Sequence, residues 1–186
     1  MLASAHRFRR STILALGLIA VLPRATQVHA QSSRTLPAGK VTAEYALAHY
    51  SDAVVRTLAD LVAFPTVHEE GRSNQDLASF NAMTAYLKQS AERLGLDFTD
   101  AGAVIVIGMG RGDHRLGLLT HGDVQPADAT KWAKSPFSLD SRSRAGRLIG
   151  RGTEDDKGPI AAALFAMKAV KDQGLPLTRR IELIIS

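Results

Sequence analysis

The chain has 186 residues, of which 45% are hydrophobic and 22% charged, with a net charge of +5 and no cysteine. This length allows one domain with extensions, and the composition excludes collagen-like and wholly disordered chains. The lack of cysteine excludes disulfides, thiolate nucleophiles and cysteine-based metal sites, so any metal ligands must be histidines and carboxylates.

The amino terminus predicts a secretory signal peptide over residues 1–30. A basic stretch (His6–Arg10) precedes ten apolar residues (Ile13–Leu22) and a small-residue cleavage site after Ala30. The alternative is a membrane anchor, but a spanning helix needs about 20 apolar residues. Beyond residue 30 the sequence carries 19 basic against 18 acidic side chains, so we expect no nucleic-acid partner. We expect a periplasmic or secreted mature protein without a stable membrane anchor.

The remaining sequence predicts a short linker followed by an α/β fold. Residues 31–42 are polar and contain proline and glycine, which is typical of a flexible linker. From residue 43 to 186, helical and extended patterns alternate. One helix is expected to follow Ser51-Asp52 and to end before Pro65, because proline disfavours helical geometry in the preceding residue. A second is expected between a cap at Ser73 and a terminating Gly95.

Three short apolar runs, residues 103–107, 116–120 and 180–185, predict buried strands. Glycine-rich residues 108–113 are expected to turn the first run directly into the second, rather than to bind a dinucleotide, because no helix follows them. An apolar helix over residues 158–173 precedes the third run. Without the rest of a sheet, this third strand is expected to expose an edge that invites association with another chain.

The first candidate site is His121-Gly122-Asp123, at the end of an apolar run. Residues two apart project from the same face if the chain stays extended. A histidine that binds metal through one ring nitrogen needs its other N–H held, and a neighbouring carboxylate can accept it. The pattern is compatible with a metal ligand at His121 and an orienting partner at Asp123, although an isolated His-x-Asp is also typical of an ordinary turn.

The second candidate site is Glu154-Asp155-Asp156, in a glycine-flanked loop that leads into an apolar helix. Loops at strand ends are where α/β sheets place ligand sites. Three adjacent acids repel one another unless cations are present, and one carboxylate can bridge two divalent ions. A solvated loop favoured by the helix dipole is the plain alternative, but it does not account for the whole arrangement.

These motifs occur in a fixed order: His121-Gly122-Asp123-Val124-x-Pro126, Trp132, Pro136-Phe137 and Gly150-Arg151-Gly152-x-x-Asp155-Asp156-Lys157-Gly158-Pro159. Together they resemble the catalytic-domain signature of the M20 family of zinc metallopeptidases, in its PepV-like and carnosinase-like dipeptidase branch. The resemblance spans residues 54–186. It implies the first part of an M20-type catalytic domain, with a mixed central sheet flanked by helices, over residues 43–186.

The resemblance also implies a site and a reaction. It places metal ligands at His121 and Asp155, the latter in the bridging position, and the catalytic residue that orients His121 at Asp123. The peptide between Asp155 and Asp156 is expected to be cis, and Glu154 is left out of the site. The implied cofactor is a pair of Zn²⁺ ions, with Co²⁺ or Mn²⁺ as substitutes, and the implied activity is hydrolysis of the amide bond of dipeptides or short peptides.

The substrate and the ending of the chain leave alternatives open. The same centre would suit an N-acyl-amino-acid amidohydrolase, and a non-catalytic secreted α/β binding module is the alternative from another class. M20 enzymes place a Glu-Glu pair, which supplies the general base and a further ligand, after a strand like Ile181–Ile185, whereas this chain ends at Ser186. We therefore expect the first part of a longer enzyme, inactive alone, whose homodimerisation would depend on a domain not included here.

Overall fold

The computed structural model of the protein describes residues 37–142 and 144–186. These ranges contain helices α1 (Pro37–Val62), α2 (Ala78–Leu94) and α3 (Lys157–Asp172) and strands β1 (Asp97–Asp100), β2 (Ile105–Met109), β3 (Arg115–Thr120) and β4 (Arg180–Ile185). Short 3-10 turns lie at Asn74–Asp76 and Ala129–Lys131. The mixture of helices and strands confirms the predicted α/β class. The predicted signal peptide lies outside the described residues.

The four strands form one mixed sheet in the order β1-β2-β4-β3. β2 is antiparallel to both of its neighbours, whereas β3 runs parallel to β4. A parallel pair needs a crossover connection, and α3 lies in the segment that links β3 to β4. Because parallel strands end at the same edge of a sheet, the segments that follow β3 and β4 come together there.

The helices and one face of the sheet enclose a single hydrophobic core. Its fully buried side chains come from every layer and include Leu61 and Val62 of α1, Leu87 of α2, Ile160 and Leu164 of α3, and Ile107 and Leu183 of the sheet. Burying one such side chain stabilises a fold by about 1.5–3 kcal/mol. This packing fixes the amino terminus of α3 relative to the ends of β3 and β4.

Helix α1 begins earlier than the sequence pattern predicted. It starts at Pro37, so residues 37–42, which we predicted as the end of a flexible linker, form its first turns. Thr42 Oγ1 donates to the backbone oxygen of Ala38 at 2.8 Å, which supports this extension. The helix ends at Val62, before Pro65, as predicted. Among the described residues, no helix combines the length and the hydrophobicity needed to cross a membrane.

The order of the strands differs from the simplest interpretation of the sequence. Residues 110–114 connect β2 to β3, as expected for the glycine-rich turn, but β4 lies between these two strands. β4 is therefore central, and the expectation that it exposes an edge is wrong. The expected burial of β3 is also wrong, because β3 pairs only with β4 in the described sheet and Leu119 is 77% exposed. An apolar pattern alone does not distinguish a central strand from an edge strand.

Candidate metal centre

The His-x-Asp segment follows β3 at the edge where the parallel strands end. Gly122 N donates to Ser186 O at 2.9 Å, and Ser186 N donates to Thr120 O at 3.1 Å. The backbone pairing of β3 with β4 therefore continues past both strands. This pairing fixes the backbone on either side of His121.

The segment after α1 also supports the His-x-Asp segment. Thr66 is fully buried, and its Oγ1 donates to Gly122 O at 2.6 Å. Val124 N donates to Thr66 O at 2.9 Å, and Val67 and Val124 form an isolated β-bridge. A buried carbonyl without a hydrogen-bond partner costs about 1–3 kcal/mol. The hydrogen bond from the Thr66 hydroxyl therefore stabilises Gly122 in this position.

The acidic segment enters α3 through a tight turn that requires glycine. Gly152 has a φ of +83°, and a Cβ there would lie 2.7 Å from Val124 Cγ1. Lys157 N donates to Gly152 O at 3.0 Å and closes the turn. The peptide between Asp155 and Asp156 is cis, as expected. The turn brings both aspartates to the amino terminus of α3.

The fold brings the three predicted site residues together. His121 Nε2 lies 2.8 Å from Asp155 Oδ1, and His121 Nδ1 lies 3.1 Å from Asp123 Oδ1. The backbone N of His121 donates to Asp156 Oδ2 at 3.3 Å. The imidazole is thus held between carboxylates of two segments that are distant in sequence. Glu154, which we left out of the site, is exposed.

The pKa of His121 is raised above its ordinary value of 6.5. Partial burial is the largest single influence and acts to lower this pKa, but the hydrogen bonds with Asp155 and Asp123 and the charges of both aspartates together outweigh it. The site therefore attracts positive charge. A divalent cation would compete with the proton for His121 Nε2.

Lys157 is a site residue to which the sequence interpretation gave no role. Its side chain is fully buried, and Nζ donates to Phe64 O at 2.5 Å. Burial lowers the pKa of Lys157 to about 8, and the charge of Asp123 acts against this shift. The ammonium group therefore lies in the field of Asp123 and ties the start of α3 to the segment after α1. Its position directly after two aspartates was the available sequence signal.

The chemistry of the donors fits zinc, whereas their number does not complete a coordination shell. Imidazole nitrogen and carboxylate oxygen bind Zn²⁺ at about 2.0–2.2 Å, and zinc sites use three or four protein ligands. His121 Nε2 and Asp155 Oδ1 are near enough to share one ion, and the Asp155 side chain is 82% exposed. Across residues 37–142 and 144–186, no group of three or more His, Cys, Asp or Glu could hold a metal ion. The described residues thus supply part of a site.

A cleft of about 500 Å³ lies beside this centre. Met83, Ile105 and Ile185 contribute to its lining, and it meets the His-x-Asp segment at Gly122. Neither His121 nor Asp155 lines it. The candidate site is therefore identified by the chemistry of its side chains and not by the size of the cavity.

The part of the chain that carries this site matches a known family. Residues 117–186 match the sequence pattern of Peptidase family M20/M25/M40. That range contains His121, Asp123 and Asp155 and also includes α3 and β4.

Relatives with known sequences or structures are similar to parts of this chain. The YtjP protein of Bacillus subtilis (strain 168) is 47% identical over 76 residues, which cover 41% of this chain and 16% of YtjP. The Beta-Ala-Xaa dipeptidase of Lactobacillus delbrueckii subsp. lactis is 31% identical over 139 residues, which cover 72% of this chain and 29% of that enzyme. The crystal structure of human carnosine dipeptidase 1 superposes with a TM-score of 0.66 at 25% identity, covering 79% of this chain and 34% of that one. The chain thus spans less than a third of the two curated relatives.

Proposed function

Because residues 117–186 place this chain in the M20 peptidase family, we propose that the protein acts in metal-dependent hydrolysis of the amide bond of dipeptides or short peptides. The observation that carries this proposal is the position of His121, 3.1 Å from Asp123 and 2.8 Å from Asp155. A non-catalytic binding module has no need to hold an imidazole between carboxylates of two segments. The dipeptidase names of two relatives support short peptides as the substrate class.

His121 and Asp155 are the proposed zinc ligands, and Asp123 is the residue that holds His121. The contact of Nδ1 with Asp123 leaves Nε2 available to the metal and fixes the orientation of the ring. Bound zinc would lower the pKa of a water molecule and polarise the scissile carbonyl. Lys157 offsets part of the negative charge near Asp123. Two zinc ions, replaceable by Co²⁺ or Mn²⁺, are part of this proposal.

The remaining parts of the active site are assigned to regions of the relatives that this chain does not span. The chain covers 29% of the Beta-Ala-Xaa dipeptidase. We assign the general base, the further metal ligands and any dimer interface to the other regions. The choice between peptides and N-acyl amino acids depends on the same regions, because the proposed centre would suit either amide bond.

A chelation experiment tests the proposed function on the polypeptide expressed from its complete reading frame. Removal of metal should abolish most hydrolysis of a dipeptide, and added Zn²⁺ should restore it. The His121→Ala variant should not recover, whereas His114→Ala, which changes an exposed histidine, should recover like the wild type. Full hydrolysis by a protein shown to be free of metal would contradict the proposal.

A further inference from the structure

We propose that Arg151 is a positioning residue that holds the connecting segment, residues 124–136, against the loop that carries Asp155. This inference rests on the proposed function, because the connecting segment follows Asp123 and the loop contains a proposed zinc ligand. Arg151 lies outside the predicted site, and the chemistry assigned to that site does not use its side chain.

Arg151 contacts the connecting segment at three separate points. Its backbone N donates to Pro136 O at 2.7 Å, and its Nη2 donates to Pro126 O at 3.2 Å. Its Cζ lies 5.5 Å from the centroid of the Trp132 ring, over the ring face. A single residue therefore fixes both ends and the middle of the stretch from Pro126 to Pro136.

The guanidinium group is suited to this contact in a way that lysine is not. Its planar shape can stack on an aromatic face while an N–H donates to a carbonyl at the side. Within residues 37–142 and 144–186, the buried Nε of Arg151 has no hydrogen-bond partner. The contact with Trp132 and the hydrogen bond to Pro126 O therefore compensate for the partial desolvation of this cation.

The next residue transmits this placement to the metal centre. Gly152 approaches Val124 so closely that a Cβ would lie 2.7 Å from Val124 Cγ1. Gly152 O accepts from Lys157 N at 3.0 Å, and Asp155 lies between these two residues in the turn. A shift of Arg151 would therefore move Asp155 relative to His121. Displacements of about 1 Å can cost 100-fold in a chemical step, because reactive groups depend on precise distances.

The single tryptophan of the chain gives a direct measurement of the contact. In Arg151→Met, we expect the emission of Trp132 to shift to longer wavelength and its quenching by acrylamide to increase, because the ring loses its cover. The affinity for Zn²⁺, measured by competition with a chelator, should fall about 10- to 100-fold, as for other residues that orient ligands. Arg147→Met is the matched control, because Arg147 is an exposed arginine four residues before Arg151. If Arg151→Met does not fold, Arg151→Lys keeps the charge, loses the planar fork and gives the same test in a milder form.

The two measurements separate this inference from the proposed function. Wild-type Trp132 emission and quenching in Arg151→Met would overturn the contact itself. An altered Trp132 signal with wild-type affinity for Zn²⁺ would overturn the positioning role. A loss of thermal stability without either change would also overturn it. If the wild type and His121→Ala bind Zn²⁺ equally, the proposed function fails, and the contact is then judged on the Trp132 signal alone.

Discussion

The imidazole of His121 depends on carboxylates from two different segments. Asp123 lies at Nδ1 and Asp155 lies at Nε2, so their effects can be separated by mutation. The charge of Asp123 acts on the pKa of His121 without occupying the nitrogen that we assign to the metal.

Replacement of Asp123 should therefore lower the pKa of His121 and weaken metal binding without abolishing it. In Asp123→Ala, the pKa of His121 should fall, because a charge that raises it is removed. Affinity for Zn²⁺ should weaken about 10- to 100-fold, because the ring is held less firmly. An NMR titration of the metal-free chain and a zinc competition assay measure the two effects. Asp113→Ala, at an exposed aspartate, is the control, and an unchanged His121 titration in Asp123→Ala would show that the contact is absent in solution.

Lys157 links stability to pH through its burial. Its pKa is about 8 in the folded chain and 10.5 in the unfolded reference, so the unfolded chain binds more protons between these values. Since stability rises with pH wherever the unfolded state binds more protons, the free energy of unfolding should gain about 3 kcal/mol across this window. Below pH 8 both states are protonated and the gain is absent.

Lysine-to-methionine variants test this dependence. Urea denaturation near pH 8 and near pH 10.5 should show that the wild type gains stability relative to Lys157→Met as the pH rises. Lys88→Met, at an exposed lysine, should track the wild type. A difference between the wild type and Lys157→Met that is independent of pH would mean that the ammonium is not buried as described.

At the scale of elements, the carboxyl ends of the first two helices were predictable from local chemistry, whereas their amino ends and the order of the strands were not. Pro65 follows the end of α1, and Gly95, with a φ of +67°, terminates α2. β4 has the predicted bounds. β1 was missed because Asp97–Asp100 is polar and is recognised as a strand only by its pairing with β2. Pairing between distant strands leaves no local signal.

The exposed edge of β3 is where we expect the described sheet to pair with another chain. Leu119 is 77% exposed, and β3 pairs on one side only within the described residues. Unpaired edges with apolar side chains invite strand pairing, and a lysine there opposes it. Leu119→Lys should therefore reduce concentration-dependent association in light scattering. Leu47→Lys, at a leucine that is 70% exposed on α1, is the control, and an equal effect of both variants would point to general solubility instead of the edge.

At the scale of the molecule, the proposed site residues follow from their order in the sequence, which resembles that of a family. The sequence predicts His121, Asp123 and Asp155 as site residues, and the fold brings them into contact. Arg151 and Lys157 lay within the same motifs, but their roles depend on contacts with Trp132 and Phe64 that no local pattern contains. Distances between segments are the information that the fold adds.

Export of the protein is a prediction from the sequence of its amino terminus. The basic stretch, the apolar run and the small residues before Gln31 predict cleavage after Ala30. Amino-terminal sequencing of protein recovered from the periplasm of a bacterial host should begin at Gln31. Recovery of intact Met1 in the membrane fraction would favour the anchor instead.

Zinc binding by paired variants tests the central claim most directly. In the polypeptide expressed from its complete reading frame, the wild type, His121→Ala and Asp155→Ala are dialysed against Zn²⁺ and their metal content is determined, with His114→Ala and Glu154→Ala as controls at exposed positions. The proposed centre predicts that His121→Ala and Asp155→Ala lose the zinc bound by the wild type and that both control variants keep it. Wild-type zinc content in both His121→Ala and Asp155→Ala would contradict the metallopeptidase assignment.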